Sequence, residues 1–307
     1  TNHIKNQRKN NIQLNINLIG ETLLGEKEAT LRIKSYKELL DNPEVDYISI
    51  KISTIYSQLH SIALEHTVEK LVERLSILYR YAIKVSELQK KEKFINLDME
   101  EYRDLEMTVK SFKKTLGLPE FLHYRGGIVL QAYLPDSFTY LVELQEWAKE
   151  RLKKGGAPIK IRIVKGANME MELIEASINN WELTTFRNKN DTDANFKKML
   201  VQALDNKATK SVNIGIASHN IFDLSFSMYL ISNEKINDEV TIEMLEGMAE
   251  ELSFSIQEEG FQLLLYSPVV FQKDFTNAVA YLVRRLDEST SAGNFLREGF
   301  NLQANTP

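Results

Sequence analysis

The chain of 307 residues carries 38 Lys and Arg against 43 Asp and Glu, a formal charge of −5, which gives no sign of a nucleic-acid-binding surface. It contains no cysteine, which excludes disulfides, thiolate metal sites and thiol nucleophiles and fits a reducing compartment. With 43% hydrophobic residues, 13 Gly and 6 Pro the composition is ordinarily globular, and no apolar run approaches the roughly 18 residues of a membrane-spanning helix.

Residues 1–12, with the basic stretch HIKNQRKNN, read as a polar N-terminal tail. Short β-branched runs then alternate with segments of helical period. QLNINLIG (13–20) leads into Glu21, and YISIKIS (47–53) carries Lys51 near its end. The interval 54–92 holds an apolar-periodic helix, HTVEKLVERLSILYRYAIKV, followed by a charged connector. KFINLDM (93–99) places Asp98 near its end, and GIVLQAYLP (127–135) carries Gln131 and Tyr133 before the helical SFTYLVELQEWAKERLKK. IKIRIVKG (159–166) puts Lys160 and Arg162 on one face and Ile161, Ile163 and Lys165 on the other. A mid-strand arginine is costly to bury unless it meets an anion or a carboxylate, which marks Arg162. VNIGIAS (212–218) runs into His219 and Asn220, VTIEMLEG (240–247) contains Leu245 and Glu246, and FQLLLYSP (261–268) contains Tyr266.

Eight such runs, each followed by a helical segment, predict an α/β fold: a closed (β/α)8 barrel over residues 13–300, with 301–307 as a C-terminal tail. A doubly wound open sheet is the competing architecture, and the lack of GxGxxG after any strand weighs against its dinucleotide-binding form. In a barrel the reacting groups gather at the C-terminal strand ends. Metal binding fits poorly, because the five His are scattered and no HxH or HExxH spacing occurs. Ser-His-Asp hydrolysis lacks a GxSxG elbow. The surplus of Arg, Lys, Gln and Asn suits an anionic, hydrogen-bond-rich ligand such as a phosphate, carboxylate or flavin. Two other readings stay open on the same barrel. One is a Schiff-base aldolase using Lys51 or Lys165, and the other a barrel that captures a ligand without catalysis.

The last periodic segment, DFTNAVAYLVRRLDE, has an apolar stripe of Phe275, Ala278, Val279, Leu282 and Leu286 that should pack on the body of the protein. Beside it run Tyr281, Arg284, Arg285 and Glu288 at i, i+3, i+4 and i+7. On a side-packed helix Glu288 would make ordinary ion pairs with the arginines, about 0.2–0.5 kcal/mol each. On a helix lying over the C-terminal mouth, the two guanidiniums could instead clamp a carboxylate.

Taken together, YISIKIS, FINLDMEEYRD, IVLQAYLPD, IRIVKGAN, IASHN, EMLEGM, LLLYSPVV and AYLVRRLDE resemble the FAD-dependent proline dehydrogenase domain, above all that of bifunctional proline utilization A enzymes. The likeness runs from about Leu14 to Phe300. It implies oxidation of L-proline to Δ1-pyrroline-5-carboxylate by hydride transfer to flavin N5, with electrons passed to a membrane quinone, and a last helix placed over the mouth. By motif, Arg284 and Arg285, helped by Lys51, would hold the proline carboxylate. Tyr266 and Tyr281 would wall the ring, Tyr266 disfavouring hydroxyproline, and Leu245 would close the apolar side. Glu21 would pair with the first arginine and gate the pocket, and Asp98 would lie on the ammonium side. Gln131, Arg162, Lys165, Gly166, His219, Asn220 and Glu288 match FAD contacts, Arg162 near flavin N5. Where many relatives have two aromatics after KGA, this chain has Asn168 and Met169, so contacts of those aromatics do not carry over. The resemblance also implies a cytoplasmic protein, peripheral at the inner membrane face, and the polar tail resembles the connection to an aldehyde dehydrogenase domain.

Overall fold

The computed structural model describes residues 2–20, 23, 25–166, 168–270, 275, 278, 279 and 283. In chain order the elements are α1 (Asn2–Lys9), β1 (Gln13–Leu18), α2 (Glu26–Asp41), β2 (Tyr47–Lys51), α3 (Leu64–Gln89), β3 (Phe94–Asp98), α4 (Tyr102–Leu116) and β4 (Gly126–Gln131). They continue with α5 (Ser137–Lys153), β5 (Ile159–Val164), α6 (Met169–Asn179), α7 (Lys189–Ala203), α8 (Asn206–Thr209) and β6 (Val212–Ala217). Last come α9 (Ile221–Glu234), β7 (Val240–Leu245), α10 (Glu250–Glu258) and β8 (Leu263–Val269).

The strands are all parallel, each pairs with the next in sequence, and β8 returns to β1 to close the barrel. The closing seam runs from Gln13 against Leu264 to Leu18 against Val269. The expected (β/α)8 architecture is therefore the one formed. Seven of the eight strands stop sooner than the apolar runs do. Beyond Gln131 the chain turns, with Leu134 N donating to Gln131 O at 3.2 Å just before Pro135. Gly247, at φ +79, similarly opens the turn after β7.

The alternation within strands gives the barrel two unlike surfaces. Ile48, Ile50, Ile95, Leu97, Ile128, Leu130, Ile161, Ile163, Ile214 and Ile216 are fully buried, and they face the helical layer. The alternate positions face the lumen and are largely polar: Asn15, Ser49, Asn96, Asp98, Lys160, Arg162 and Glu243 are buried too. A barrel of this class ordinarily fills its lumen with branched aliphatics. Here an aromatic and apolar floor of Tyr47, Phe94 and Leu264 lies beneath the charged groups.

Residues 2–9, expected to belong to a polar tail, form a helix. Helix α1 follows the barrel flank from the C-terminal to the N-terminal ends of the strands. His3 Nε2 meets Glu246 Oε1 at 2.5 Å just after β7, and Arg8 binds Glu44 Oε2 at 2.8 Å and also Asp46 just before β2. His3 and Arg8 find fixed partners because the closed barrel brings them near. Whether the last helix covers the mouth lies outside the described residues. Of its apolar stripe, Ala278 is buried while Phe275 and Val279 are exposed.

Candidate active site

Asp98, the last residue of β3, is the hub of the lumen. Its Oδ1 accepts from Ser49 Oγ, Asn96 Nδ2 and Arg162 Nη1, each at 3.0 Å. Its Oδ2 accepts from the Tyr266 hydroxyl at 2.6 Å. Alternation explains the convergence, because residues 49, 96, 98, 162 and 266 all occupy inward positions of four different strands. One carboxylate thus fixes the orientation of a phenol and a guanidinium.

Arg162 meets the condition set by its sequence position. Nε donates to Glu243 Oε2 at 2.5 Å, and the guanidinium lies over the Tyr266 ring at 5.2 Å from its centroid. Burial works against the cation, but the Glu243 and Asp98 carboxylates outweigh it and raise the pKa above the ordinary arginine value. Nη2 is buried without a hydrogen-bond partner. Gln131, at the end of β4, donates through Nε2 to Glu100 O at 3.2 Å while its Oε1 is also buried and unpartnered. The lone acceptor of Gln131, at the end of β4, is what a polar ligand at the strand ends would satisfy.

Lys51 Nζ lies 3.0 Å from Glu100 Oε1 and is a third exposed, so it sits at the rim of the lumen. Ser53 Oγ bonds the other Glu100 oxygen. Asn168, the residue that departs from the family's aromatics, donates to Glu100 O at 3.2 Å. Glu100 therefore gathers the loops after β2, β3, β4 and β5. Gly166 adopts φ +109, and a Cβ there would lie 1.9 Å from the Tyr133 ring, so only glycine passes this point.

Three other expected ligand residues already hold local structure. Asn220 Oδ1 caps α9, accepting from Phe222 N at 2.9 Å and Asp223 N at 3.4 Å. His219 Nε2 accepts from Leu245 N at 3.0 Å, which fixes the end of β7 and leaves the proton on Nδ1. Lys165 points away from the lumen, pairing with Asp193 at 2.5 Å and Asp223 at 2.6 Å. Glu21, Tyr281, Arg284, Arg285 and Glu288 lie outside the described residues. The sequence reading missed Glu100 and Glu243. Glu243 could have been found, since it shares the inward face with Leu245 and supplies the carboxylate that Arg162 demands.

Residues 1–298 match the family model described as proline dehydrogenase. The chain is 26% identical over 206 residues to proline dehydrogenase of Deinococcus radiodurans, covering 67% of this chain and 57% of that protein. It is 29% identical over 252 residues to proline dehydrogenase 2 of Bacillus subtilis strain 168, covering 81% and 72%. Among solved structures, proline utilization A from Corynebacterium freiburgense superposes with a TM-score of 0.89 at 41% identity, over 97% of this chain and 30% of that one. Proline utilization A from Bdellovibrio bacteriovorus, inactivated by N-propargylglycine, gives 0.89 at 32% identity, over 98% and 33%. The chain thus spans little more than half of the Deinococcus protein and about a third of these two structures.

Proposed function

Because this chain belongs to the proline dehydrogenase family, we propose that it oxidises L-proline to Δ1-pyrroline-5-carboxylate, the first step of proline catabolism. The observation that carries the reading is the buried Arg162, oriented by Asp98 and Glu243 at the strand ends beside the unpartnered Gln131 oxygen.

The residues present fit a flavin. Gln131 Oε1 offers an acceptor at the strand ends, and Gly166 keeps the wall after β5 free of a side chain. Arg162, Gln131, Gly166, His219 and Asn220, with Glu288, would hold FAD, and Lys165 would join them only by leaving Asp193 and Asp223. Bound there, FAD supplies the two-electron acceptor that takes the hydride from the ring carbon bonded to nitrogen. Proline also loses the nitrogen proton, which leaves a C=N bond. The fixed Arg162 cation would stabilise negative charge that develops beside it, without reorganising. Lys51, with Arg284 and Arg285, would hold the substrate carboxylate, and Glu21 would gate their access. Tyr266, held by Asp98, would lie against the ring with Tyr281 and Leu245 and would exclude a hydroxylated ring. Asp98 would favour the ammonium side.

The electron acceptor would be a membrane quinone reached from the cytoplasmic side, and an aldehyde dehydrogenase domain would take the product onward in a longer chain. Among the described residues no helix is long and apolar enough to cross a membrane. The Schiff-base alternative finds less support, since Lys51 is paired with Glu100 and Lys165 with Asp193 and Asp223.

The test is a visible spectrum of the purified chain with FAD, before and after anaerobic L-proline. Flavin bands that bleach with proline and not with hydroxyproline are expected. Uptake of FAD without bleaching would reduce the protein to a ligand-binding barrel. In the same assay N-propargylglycine should abolish bleaching, and Arg284→Met should raise KM for proline at least tenfold while FAD stays bound.

A further inference from the structure

Beneath Arg162 the lumen contains a second ion pair that the proposed reaction does not use. Lys160 and Arg162 are two residues apart on β5 and share its inward face. Glu243 lies between their charges, its Oε1 at 2.7 Å from Lys160 Nζ and its Oε2 at 2.5 Å from Arg162 Nε. Glu243 is only 2% exposed. Burial disfavours its charge, but Arg162 and Lys160 outweigh that and hold its pKa below the ordinary glutamate value. Lys160 in turn rests over the Tyr47 ring of the floor, 5.1 Å from its centroid.

The neighbouring strand is shaped around this pair. Gly215 of β6 is in register with Arg162. A Cβ on Gly215 would fall 2.2 Å from Glu243 Oε1 and 3.1 Å from Lys160 Cε. A mid-strand glycine weakens a strand, and here it gives the two charged side chains their space. The charges also balance: Lys160 and Arg162 face Asp98 and Glu243, two cations against two carboxylates. Without Lys160, Arg162 would stand between two carboxylates with a net charge of −1 in the lumen.

We propose that Lys160 and Glu243 are positioning residues for the reaction centre: Glu243 fixes the Arg162 guanidinium, and Lys160 cancels the Glu243 charge, so that the floor pair sets the field Arg162 exerts on the flavin. This rests on the reading that Arg162 adjoins the flavin. Lys160 tunes the reduction potential although the floor pair lies below the strand ends where substrate would bind. A buried pair replaceable by apolar side chains would otherwise bring no advantage in stability.

The experiment measures the midpoint potential of FAD bound to the chain, with flavin affinity and circular dichroism as controls. K160Q keeps Glu243 paired with Arg162 and leaves the lumen one charge more negative. It should shift the flavin equilibrium toward the oxidised form by threefold to tenfold, about 15–30 mV for a two-electron couple. K160Q/E243Q restores neutrality and leaves an amide oxygen at position 243 to accept from Arg162 Nε, so it should return the potential to that of the parent, although it removes more charges than the single change. A purely structural pair predicts the opposite order, with the double variant furthest from the parent. A K160Q potential that is unchanged or raised would overturn the proposal. Should K160Q not fold, a K160M/E243Q potential displaced from the parent would overturn it too. Failure of the parent chain to take up FAD would instead overturn the flavin reading and this inference with it. Bleaching of the parent by proline with no response to K160Q would leave the first standing and remove the second.

Discussion

At the scale of single residues, the lumen works through carboxylates that each serve several donors. Asp98 accepts from Ser49, Asn96, Arg162 and Tyr266, so its removal takes one carboxylate from a buried cation and an acceptor from three polar side chains. Asp98→Ala should destabilise the protein by about 3–5 kcal/mol in urea unfolding, the scale for breaking a buried charged pair. Tyr266→Phe keeps the ring and loses only the hydroxyl bond, so it should lower stability by about 1 kcal/mol and retain flavin. Asp104 gives a pH-dependent prediction. Burial, helped by the nearby Glu100 and Glu101, pushes its pKa up to about 7 from an ordinary 3.8. Between those values the folded state binds more protons than the unfolded one, so stability is present at acid pH and declines as pH rises toward 7. Asp104→Asn should therefore raise the melting temperature at pH 8, by the equivalent of roughly 2–4 kcal/mol, and have little effect near pH 4. Equal gains at both pH values would refute the assignment.

At the scale of elements, the site depends on where strands end and helices begin. The cap on α9 comes from Asn220, in the loop that also aims His219 at the end of β7. Asn220→Ala should cost about 1 kcal/mol in thermal unfolding through the lost cap. Restoration by Asn220→Asp would separate this cap from any flavin contact, since aspartate caps equally well. Gly166 ends the run after β5 with a backbone that alanine resists and a neighbour, Tyr133, that a Cβ would strike. Gly166→Ala should express as a folded barrel with sharply reduced FAD content, read from the ratio of visible to ultraviolet absorbance. The element boundaries were legible to within a few residues, because period-2 and period-3.6 patterns are local. Helix α1 was not legible, because its stability comes from partners at Glu44, Asp46 and Glu246, distant in sequence.

At the scale of the whole molecule, closure of β1 on β8 turns eight local strands into one enclosure with an apolar outside and a charged inside. Since the buried charges on β3, β5 and β7 are mutually paired, these three strands cannot separate without exposing an unpaired ion. Unfolding followed by circular dichroism and by fluorescence of Trp147 in α5, isolated in a Trp181→Phe variant, should therefore coincide in one transition. Separate midpoints would show that the two halves of the barrel fold apart. The sequence by itself determined the strand and helix alternation, the closed barrel it implies and the demand of Arg162 for an anion or a carboxylate, all of which follow from spacing and residue type along the chain, while its motifs carried the resemblance to the family. Only the tertiary structure decided which carboxylates answer that demand, that Asn220 and Lys165 are engaged in a helix cap and an outer ion pair, and that Glu100 ties four loops together. Such partners sit on different strands, and only barrel closure and strand register bring them within hydrogen-bond reach.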